Sequence, residues 1–518
     1  MRSMSRFAWF GALIVLCVAA HLGCMRSASM RVGHAEAAPA PTMSRPLEYE
    51  ERPISVEAGA HYFLTTGGGD PYATGMAYPL FLALMEAYPD ELGRDWNEFA
   101  AKFGFIPDPE RHGDPRALPV GFHLTTDPNT GVPWLVGNCQ MCHAERIRLP
   151  KGDLVVPGLG NKAVRPHAYQ NALARIGADP ALDPRRMADI ADRRARASGI
   201  PWNHGAAIAE ATFDAWRPRM RAAKASWARF EAALPGRMAT IESFALALHA
   251  RSNAPIPMPA AIGWAKVPDV RSFPFRETFS YDGSGFGSPQ ALVLEADFLF
   301  GARDDWYREH PHIATSMYLY LRAFTRTLPY PAPIDRELVA HGKQVFDATC
   351  AGCHGHYVEH GSEMRVSYKE RVIPQPALGT DAARIDAVTP AFVEAANTYA
   401  LVRGHTRVRN TGGYVPPVLL DVWARGVFGH AGQWPSLEAL ATPPEERPRR
   451  FIVDTTGLYD LERVGVRYEV EPLGGRPLRA GEYLYDGGTP GLGVEGHAFL
   501  SKLPRADRRA VLEYLKTL

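Results

Sequence analysis

Four of the chain's six cysteines fall into two copies of one pattern, Asn138-Cys139-Gln140-Met141-Cys142-His143 and Cys350-Ala351-Gly352-Cys353-His354. Cys-x-x-Cys-His suits covalent haem attachment. The two sulfurs add to the vinyl groups, their short spacing brings them to one porphyrin edge, and the next histidine lies over the iron as proximal ligand. Zinc usually takes two neighbouring ligand pairs, whereas these pairs stand far apart and each has its own histidine. A redox dithiol or a structural disulfide is the remaining alternative, and in an oxidising compartment the disulfide closes unless other chemistry captures both thiols. The expectation is therefore two covalently bound haem c groups, attached through Cys139, Cys142, Cys350 and Cys353, with His143 and His354 on the irons.

The second axial ligand decides what each iron does, because a filled site carries electrons while an open one binds oxygen or peroxide. No methionine follows Met364, so a histidine is the expected partner at the second haem unless Met364 itself turns back. His356, His360, His405, His430 and His497 are the candidates. His497, in "GLGVEGHAF" after a glycine-rich turn and just ahead of the last helical stretch, fits best. A His354/His497 pair gives a lower potential than histidine with methionine, which suits a haem that reduces its neighbour. For the first haem, no residue among His167, His204, His249, Met187, Met220, Met238 and Met258 stands out, and methionine more often packs than ligates. An open or weakly occupied position at the His143 iron is expected.

Elements must position these groups. "IDRELVAHGKQVFDATCAGCH", from Ile334, has Leu338, Val345 and Phe346 at helical spacing, with Gly342 where a close helix crossing needs a small residue. "LPRADRRAVLEYLKTL", from Leu503, places Val511, Leu512 and Leu515 on one side of a helix after Pro504. Upstream, "LFLALMEAYPDELGRDWNEFA" and "MATIESFALALHARS" read as helical, and the Arg/Ala-rich stretch 185–229 reads as a solvated helix pair in preference to a basic docking face. "FSYDGSGFGSPQ", from Phe279, lacks the flanking pattern of a phosphate loop and reads as a backbone turn near the haem. The fold class expected is mainly α, with two cytochrome c-like haem domains, the first enlarged by helical and loop insertions.

At 518 residues the chain exceeds what one core supports. The division expected is 1–37 as signal peptide or lipoprotein leader with linker, 38–333 as N-terminal haem domain and 334–518 as C-terminal haem domain. Lys plus Arg number 57 against 56 Asp plus Glu, a balance that argues against nucleic acid as a partner. Arg2 and Arg6 precede an apolar run from Phe7 to Leu22 that is short for a membrane span and right for a secretory signal. Cys24 after Gly23 is a candidate lipid anchor, and Ala35-Glu36-Ala37 is the rival cleavage site. A periplasmic or otherwise extracytoplasmic location is expected, membrane-anchored if Cys24 is lipidated.

Several tracts carry a resemblance: "YVPPVLLDVW" from Tyr414, "VFGHAGQWPSLEAL" from Val427, "PPEERP" from Pro443, Gly496-His497-Ala498-Phe499, and "NCQMCH" with the "VPGLGNK" that follows it. In order and spacing the chain resembles the di-haem cytochrome c peroxidase-like superfamily, most closely its rubber-oxygenase-like branch, over most of the chain from about Val132 to the end. It departs where that branch carries Pro-Tyr-Leu-His-Asn-Gly. Here Val427-Phe428-Gly429-His430-Ala431-Gly432 keeps the histidine and last glycine and loses the tyrosine hydroxyl and asparagine amide.

The resemblance implies a division of labour, with the N-terminal haem reacting with peroxide or dioxygen and the C-terminal haem supplying or storing electrons. Peroxide chemistry needs an acid/base group beside an open iron, for which Glu277 and Glu295 are the candidates, and Gln290 could position a bound oxygen. An oxygenase would use an apolar pocket and an apolar organic substrate, for which Phe279, Phe286, Phe298 and Phe300 are available, although such aromatics usually build core. Calcium, which lies between the domains in some relatives, is a candidate further cofactor. A small redox protein or another donor would supply electrons. The expected function is a di-haem redox enzyme, peroxidase-like or oxygenase-like. The alternative is a pure electron carrier with both irons six-coordinate.

Overall fold

The computed structural model describes residues 52–67, 69, 75–111, 113–252, 255–288, 306, 309–324, 327–361, 363–399 and 406–518. The apolar N-terminal run, Cys17, Cys24 and Ala35-Glu36-Ala37 lie outside them, as do Gln290, Glu295, Phe298, Phe300 and His405. No described helix is long and apolar enough to cross a membrane.

The expected mainly α architecture of cytochrome c-like domains is not what forms. The chain is 41% helix and 16% strand, a mixed α/β fold with seven small antiparallel sheets among the described residues. Strands of two to six residues account for the difference, because a period of two repeats too few times in such segments to be read. Arg146-Ile147-Arg148 and Leu154-Val155-Val156, for example, lie in a hairpin of Ala144–Leu149 with Gly152–Pro157, turned at Pro150-Lys151.

Two compact units divide the chain: 1–141 with 166–232 and 296–313, and 142–165 with 233–295 and 314–518. The division falls inside the first Cys-x-x-Cys-His run, between Met141 and Cys142.

In the first unit, helices Tyr78–Ala87, Trp96–Phe103, Pro166–Ala178, Pro184–Ser198 and Gly205–Ala228 accompany a three-stranded sheet of Met76–Ala77, Pro133–Gly137 and Phe122–Thr126, with Pro133–Gly137 central. The arginine-rich stretch thus forms two helices, where Met187, Ile190, Phe213 and Trp216 turn inward. Phe99 is the hub of the aromatic core, with Phe81, Trp96, Phe103, Phe105, Phe122 and Tyr169 around it at ring separations of 5.1 to 5.7 Å.

In the second unit, helix Arg336–Thr349 starts on an Asp335 cap, whose carboxylate accepts from the Glu337 and Leu338 N–H groups, and runs into the short helix Ala351–His354. It crosses the last helix, Arg505–Leu515, at Gly342, where a β-carbon would collide with the Ala510 carbonyl. Phe346, Val511, Tyr514 and Leu515 close the seam. A hairpin of His356–His360 with Glu363–Ser367 follows the motif. Farther on lies a sheet with Arg450–Asp454 between Tyr468–Val470 and Glu482–Asp486. The glycine-rich segment forms a turn between strands Thr278–Phe279 and Gly285–Gly287, the latter paired with Thr406–Val408.

Candidate haem sites

The second motif opens into a cavity of about 320 Å³ within the second unit. Cys350, Cys353 and His354 line it, and so do residues from five other stretches: 266–281, 373–380, 414–425, 428–434 and 497–500. Phe346, Leu437, Leu440, Val511 and Leu515 supply apolar wall. The sequence tracts beginning at Tyr414, Val427 and Gly496 therefore converge on one space.

Two imidazoles face each other there. The His354 and His497 ring centroids are 6.1 Å apart. A metal bound by both rings at about 2 Å per nitrogen would hold the centroids at roughly 6 Å, so the spacing fits a shared ion. His354 Nδ1 lies 2.9 Å from the Pro417 carbonyl. A carbonyl only accepts, so Nδ1 carries the proton and Nε2 keeps its lone pair for a ligand. His143 repeats the device with Nδ1 3.0 Å from the Pro268 carbonyl. Burial holds His354 and His143 below the usual histidine range, His143 at about 4, so both imidazoles stay neutral and able to coordinate.

His497 is built into place. Its φ of 47° is left-handed, a conformation rare outside glycine, and its N–H donates to the Leu378 carbonyl at 2.9 Å. Gly496 before it has φ 87°, and a β-carbon there would meet the Thr380 N–H at 2.6 Å. Arg447 anchors the approach. Its guanidinium donates to the carbonyls of Val494 at 3.0 Å, Gly496 at 2.6 Å, Leu440 at 2.9 Å and Thr442 at 2.9 Å, and lies 5.0 Å over the Trp434 ring. Burial above all lowers His497 to about 4, so this imidazole too stays neutral.

The other candidates are engaged or remote. His430 lines the cavity, but it stacks on Tyr414 at 4.6 Å and its Nδ1 is 3.2 Å from Gln433 Nε2, while the carbonyls of the two following residues accept from buried Arg237. Met364 is buried in the hairpin strand Glu363–Ser367, and His356 and His360 are exposed on its partner strand. For the first motif, His167 is buried against Phe230 with Nδ1 2.9 Å from Gln170 Oε1, His204 and His249 are exposed, and Met187, Met220 and Met238 are buried. Asn138 Nδ2 donates to the Leu64 and Thr65 carbonyls and Gln140 Nε2 to Leu64, bracing the run's start. Of the proposed acid/base residues, Glu277 is exposed, its backbone N–H donating to Glu370 at 3.1 Å, and it does not line the cavity.

The thiols bear on the competing chemistries. Burial pushes the Cys142 thiol up to about 12 and raises Cys350, opposite to the low values a redox dithiol needs. Cys350 and Cys353 are unbridged. Among the described residues no three or more His, Cys, Asp or Glu side chains gather as a metal cluster.

The cavity also holds polar groups without a hydrogen-bond or ion-pair partner among the described residues. Lys266 Nζ lies 5.7 Å over the Tyr281 ring and, among the described residues, forms no ion pair. Burial, reinforced by the charge of Arg425, lowers Lys266 to about 7. The Tyr281 hydroxyl has no hydrogen-bond partner there, and burial raises its pKa. Such groups fit the carboxylates of a bound cofactor. Lys266, Tyr281 and Arg447 are residues that sequence reading did not single out. Arg447 lies in "PPEERP" and Tyr281 in the "FSYDGSGFGSPQ" turn, whereas Lys266 carried no signal. No family model matches the chain, and no curated protein is significantly similar to it.

Proposed function

We propose that the chain is an exported di-haem redox enzyme, with the C-terminal motif carrying electrons and the N-terminal motif acting on peroxide or dioxygen. The observation that carries this reading is the facing His354/His497 pair beside Cys350 and Cys353, together with the repeat at His143 of a histidine oriented by a proline carbonyl. Bound haem would supply one-electron chemistry and, where a position stays open, an acceptor for a small oxidant.

The chain's residues supply the rest. Pro417 and Pro268 fix the tautomers of the two proximal histidines. Lys266 and Tyr281 offer a cation and a hydroxyl to the propionates. Phe346, Phe428, Val511 and Leu515 exclude water from the space around the cofactor. The resemblance to di-haem peroxidase-like proteins favours an open position at His143, and an extracytoplasmic compartment supports the assembly.

The test is absorption and electron paramagnetic resonance of the ferric protein. One low-spin centre and one high-spin centre that binds cyanide and responds to peroxide are expected. Two low-spin centres inert to both would make the protein an electron carrier. Replacing His497→Ala is expected to turn the low-spin centre high-spin, whereas His430→Ala should leave it low-spin. The reverse outcome would transfer the ligand to His430.

A further inference from the structure

The carbonyl that orients His354 belongs to a strap, Pro416-Pro417-Val418-Leu419-Leu420, in which each of the other carbonyls accepts from a different group. Tyr368 Oη donates to Pro416 at 2.6 Å, Arg425 Nη2 to Val418 at 2.7 Å and to Leu420 at 2.9 Å, and the Val422 N–H to Leu419 at 3.1 Å. Arg425 is held in turn by charge, with Asp269 Oδ2 2.8 Å from the same nitrogen. Pro416 and Pro417 carry no N–H to donate. The Leu419 N–H donates to Tyr357 Oη at 2.7 Å, and that hydroxyl donates to the His354 carbonyl at 2.7 Å. With His354 Nδ1 on the Pro417 carbonyl, these contacts close a ring. It runs from the imidazole to Pro417, along the strap to Leu419, through one hydroxyl, and back to the backbone of His354.

Both tyrosines come from one hairpin. It leaves His354 directly through Gly355, whose φ is 84° and where a β-carbon would meet the Ser367 carbonyl at 2.8 Å. Tyr357 lies on the strand His356–His360, opposite Val366, and Tyr368 follows the strand Glu363–Ser367. Tyr357 is 1% exposed, so solvent does not compete for its hydroxyl, and its ring lies 6.0 Å from that of Phe346. A carbonyl that accepts from the far nitrogen of a ligating imidazole fixes the ring and raises its basicity. A more basic ligand stabilises ferric iron over ferrous and so lowers the potential.

We propose that Tyr357 is a positioning residue for the second iron site: its hydroxyl seats the His354 imidazole on Pro417 and holds the reduction potential of that centre down, with Tyr368 as the second fastening of the strap. The inference rests on the di-haem reading above. It gives the hairpin a task, which is to carry two hydroxyls to the strap behind the proximal histidine. The His143 site stands outside this arrangement. Pro268 lies in another loop, tied by the Val267 N–H to the Gly236 carbonyl at 2.9 Å and by the Val270 N–H to the Gly158 carbonyl at 2.8 Å.

The experiment is optical redox titration of the purified holoprotein, with haem number counted by mass. Cys350→Ala/Cys353→Ala identifies the optical and paramagnetic signals of the His354 centre by their loss. Tyr357→Phe keeps the ring and removes the hydroxyl. It is expected to raise the potential of the His354 centre, changing its ferrous-to-ferric ratio by about threefold to tenfold, where tenfold is 59 mV for one electron. The paramagnetic signal of that centre should shift with it, and the His143 centre should keep its potential. Tyr514→Phe is the control. Its ring lies 5.3 Å from the same Phe346 and its hydroxyl has no hydrogen-bond partner among the described residues, so both potentials are expected to stay at wild-type values. A Tyr357→Phe protein with a lower urea midpoint and an unchanged His354 potential overturns the proposal, because the tyrosine is then structural only. Two potentials that move together, or Tyr514→Phe shifting the His354 centre as far, overturn it as well. If Tyr357→Phe does not accumulate, Tyr368→Phe must raise the potential of the His354 centre, and an unchanged value sinks the positioning role. A wild-type protein without haem removes both that role and the reading beneath it.

Discussion

Gly342→Ala sets two effects of known size against each other. In an isolated helix the change is favourable by about 0.5–1 kcal/mol, since glycine loses more backbone entropy on folding. In this chain the added β-carbon would fall well inside the 3.0 Å that real β-carbons keep from the Ala510 carbonyl, and 3.0 Å from the Tyr514 β-carbon. The obstacle is backbone, so no side-chain rotation relieves it, and helix Arg505–Leu515 has to retreat by roughly 1 Å through a close-packed seam. Overpacking of that kind costs about 1–3 kcal/mol, or more where backbone must move, so the clash outweighs the propensity gain. Gly352 is the control. It is also helical, and a β-carbon there meets nothing within 4 Å. Urea unfolding followed by circular dichroism should show a lower midpoint at unchanged slope for Gly342→Ala, and a midpoint equal to or above wild type for Gly352→Ala. A Gly342→Ala protein as stable as wild type would refute the crossing geometry.

Further outcomes follow from the same structure. Arg447→Lys cannot reproduce four planar contacts to carbonyls, and a loss of about 2–4 kcal/mol is expected from charge-assisted hydrogen bonds. The His497 loop should loosen with it, so a wild-type urea midpoint with an unchanged low-spin spectrum would contradict the anchoring role. A pH dependence is expected from two buried neutral histidines outside the proposed His354/His497 pair. Burial lowers His167 to about 4 and His430 to about 3, the Gln170 contact opposing it at His167 and the Arg384 charge adding to it at His430. Both folded values lie below the unfolded value near 6.5, so the unfolded chain binds more protons in that window. Stability is therefore full above about pH 6.5 and falls as the pH drops toward 4, by up to about 1.4 kcal/mol per unit for each group. Urea midpoints at several pH values should decline in that range, less steeply in His167→Gln. A flat profile would contradict the burial of these rings.

Much of the second site was legible because its signals are local. The Cys-x-x-Cys-His spacing, the small residue at 342 among Leu338, Val345 and Phe346, and a histidine just ahead of the last helix each sit within one stretch of sequence. The methionine-free C-terminus turned attention to histidine, and His497 does face His354. What was not legible depends on distance along the chain. Asp269 and Arg425 meet across loops far apart in sequence, and nothing near either residue announces the other. Lys266 is one lysine among many until the fold brings it over Tyr281. The strands were missed for a different reason. Segments such as Thr406–Val408 or Ile373–Pro374 hold too few residues for alternation to show, and tertiary pairing alone makes them strands. The mainly α expectation failed there, although helix Arg336–Thr349 and the terminal helix do cross.

The central claim is that four sulfurs hold two iron porphyrins on this one chain. Intact-protein mass spectrometry, after expression with a competent cytochrome c maturation system, tests it most directly. The account predicts the mature chain's mass plus two haem groups that survive denaturation, with loss of one of them in Cys350→Ala/Cys353→Ala. The mass of the bare polypeptide would contradict it.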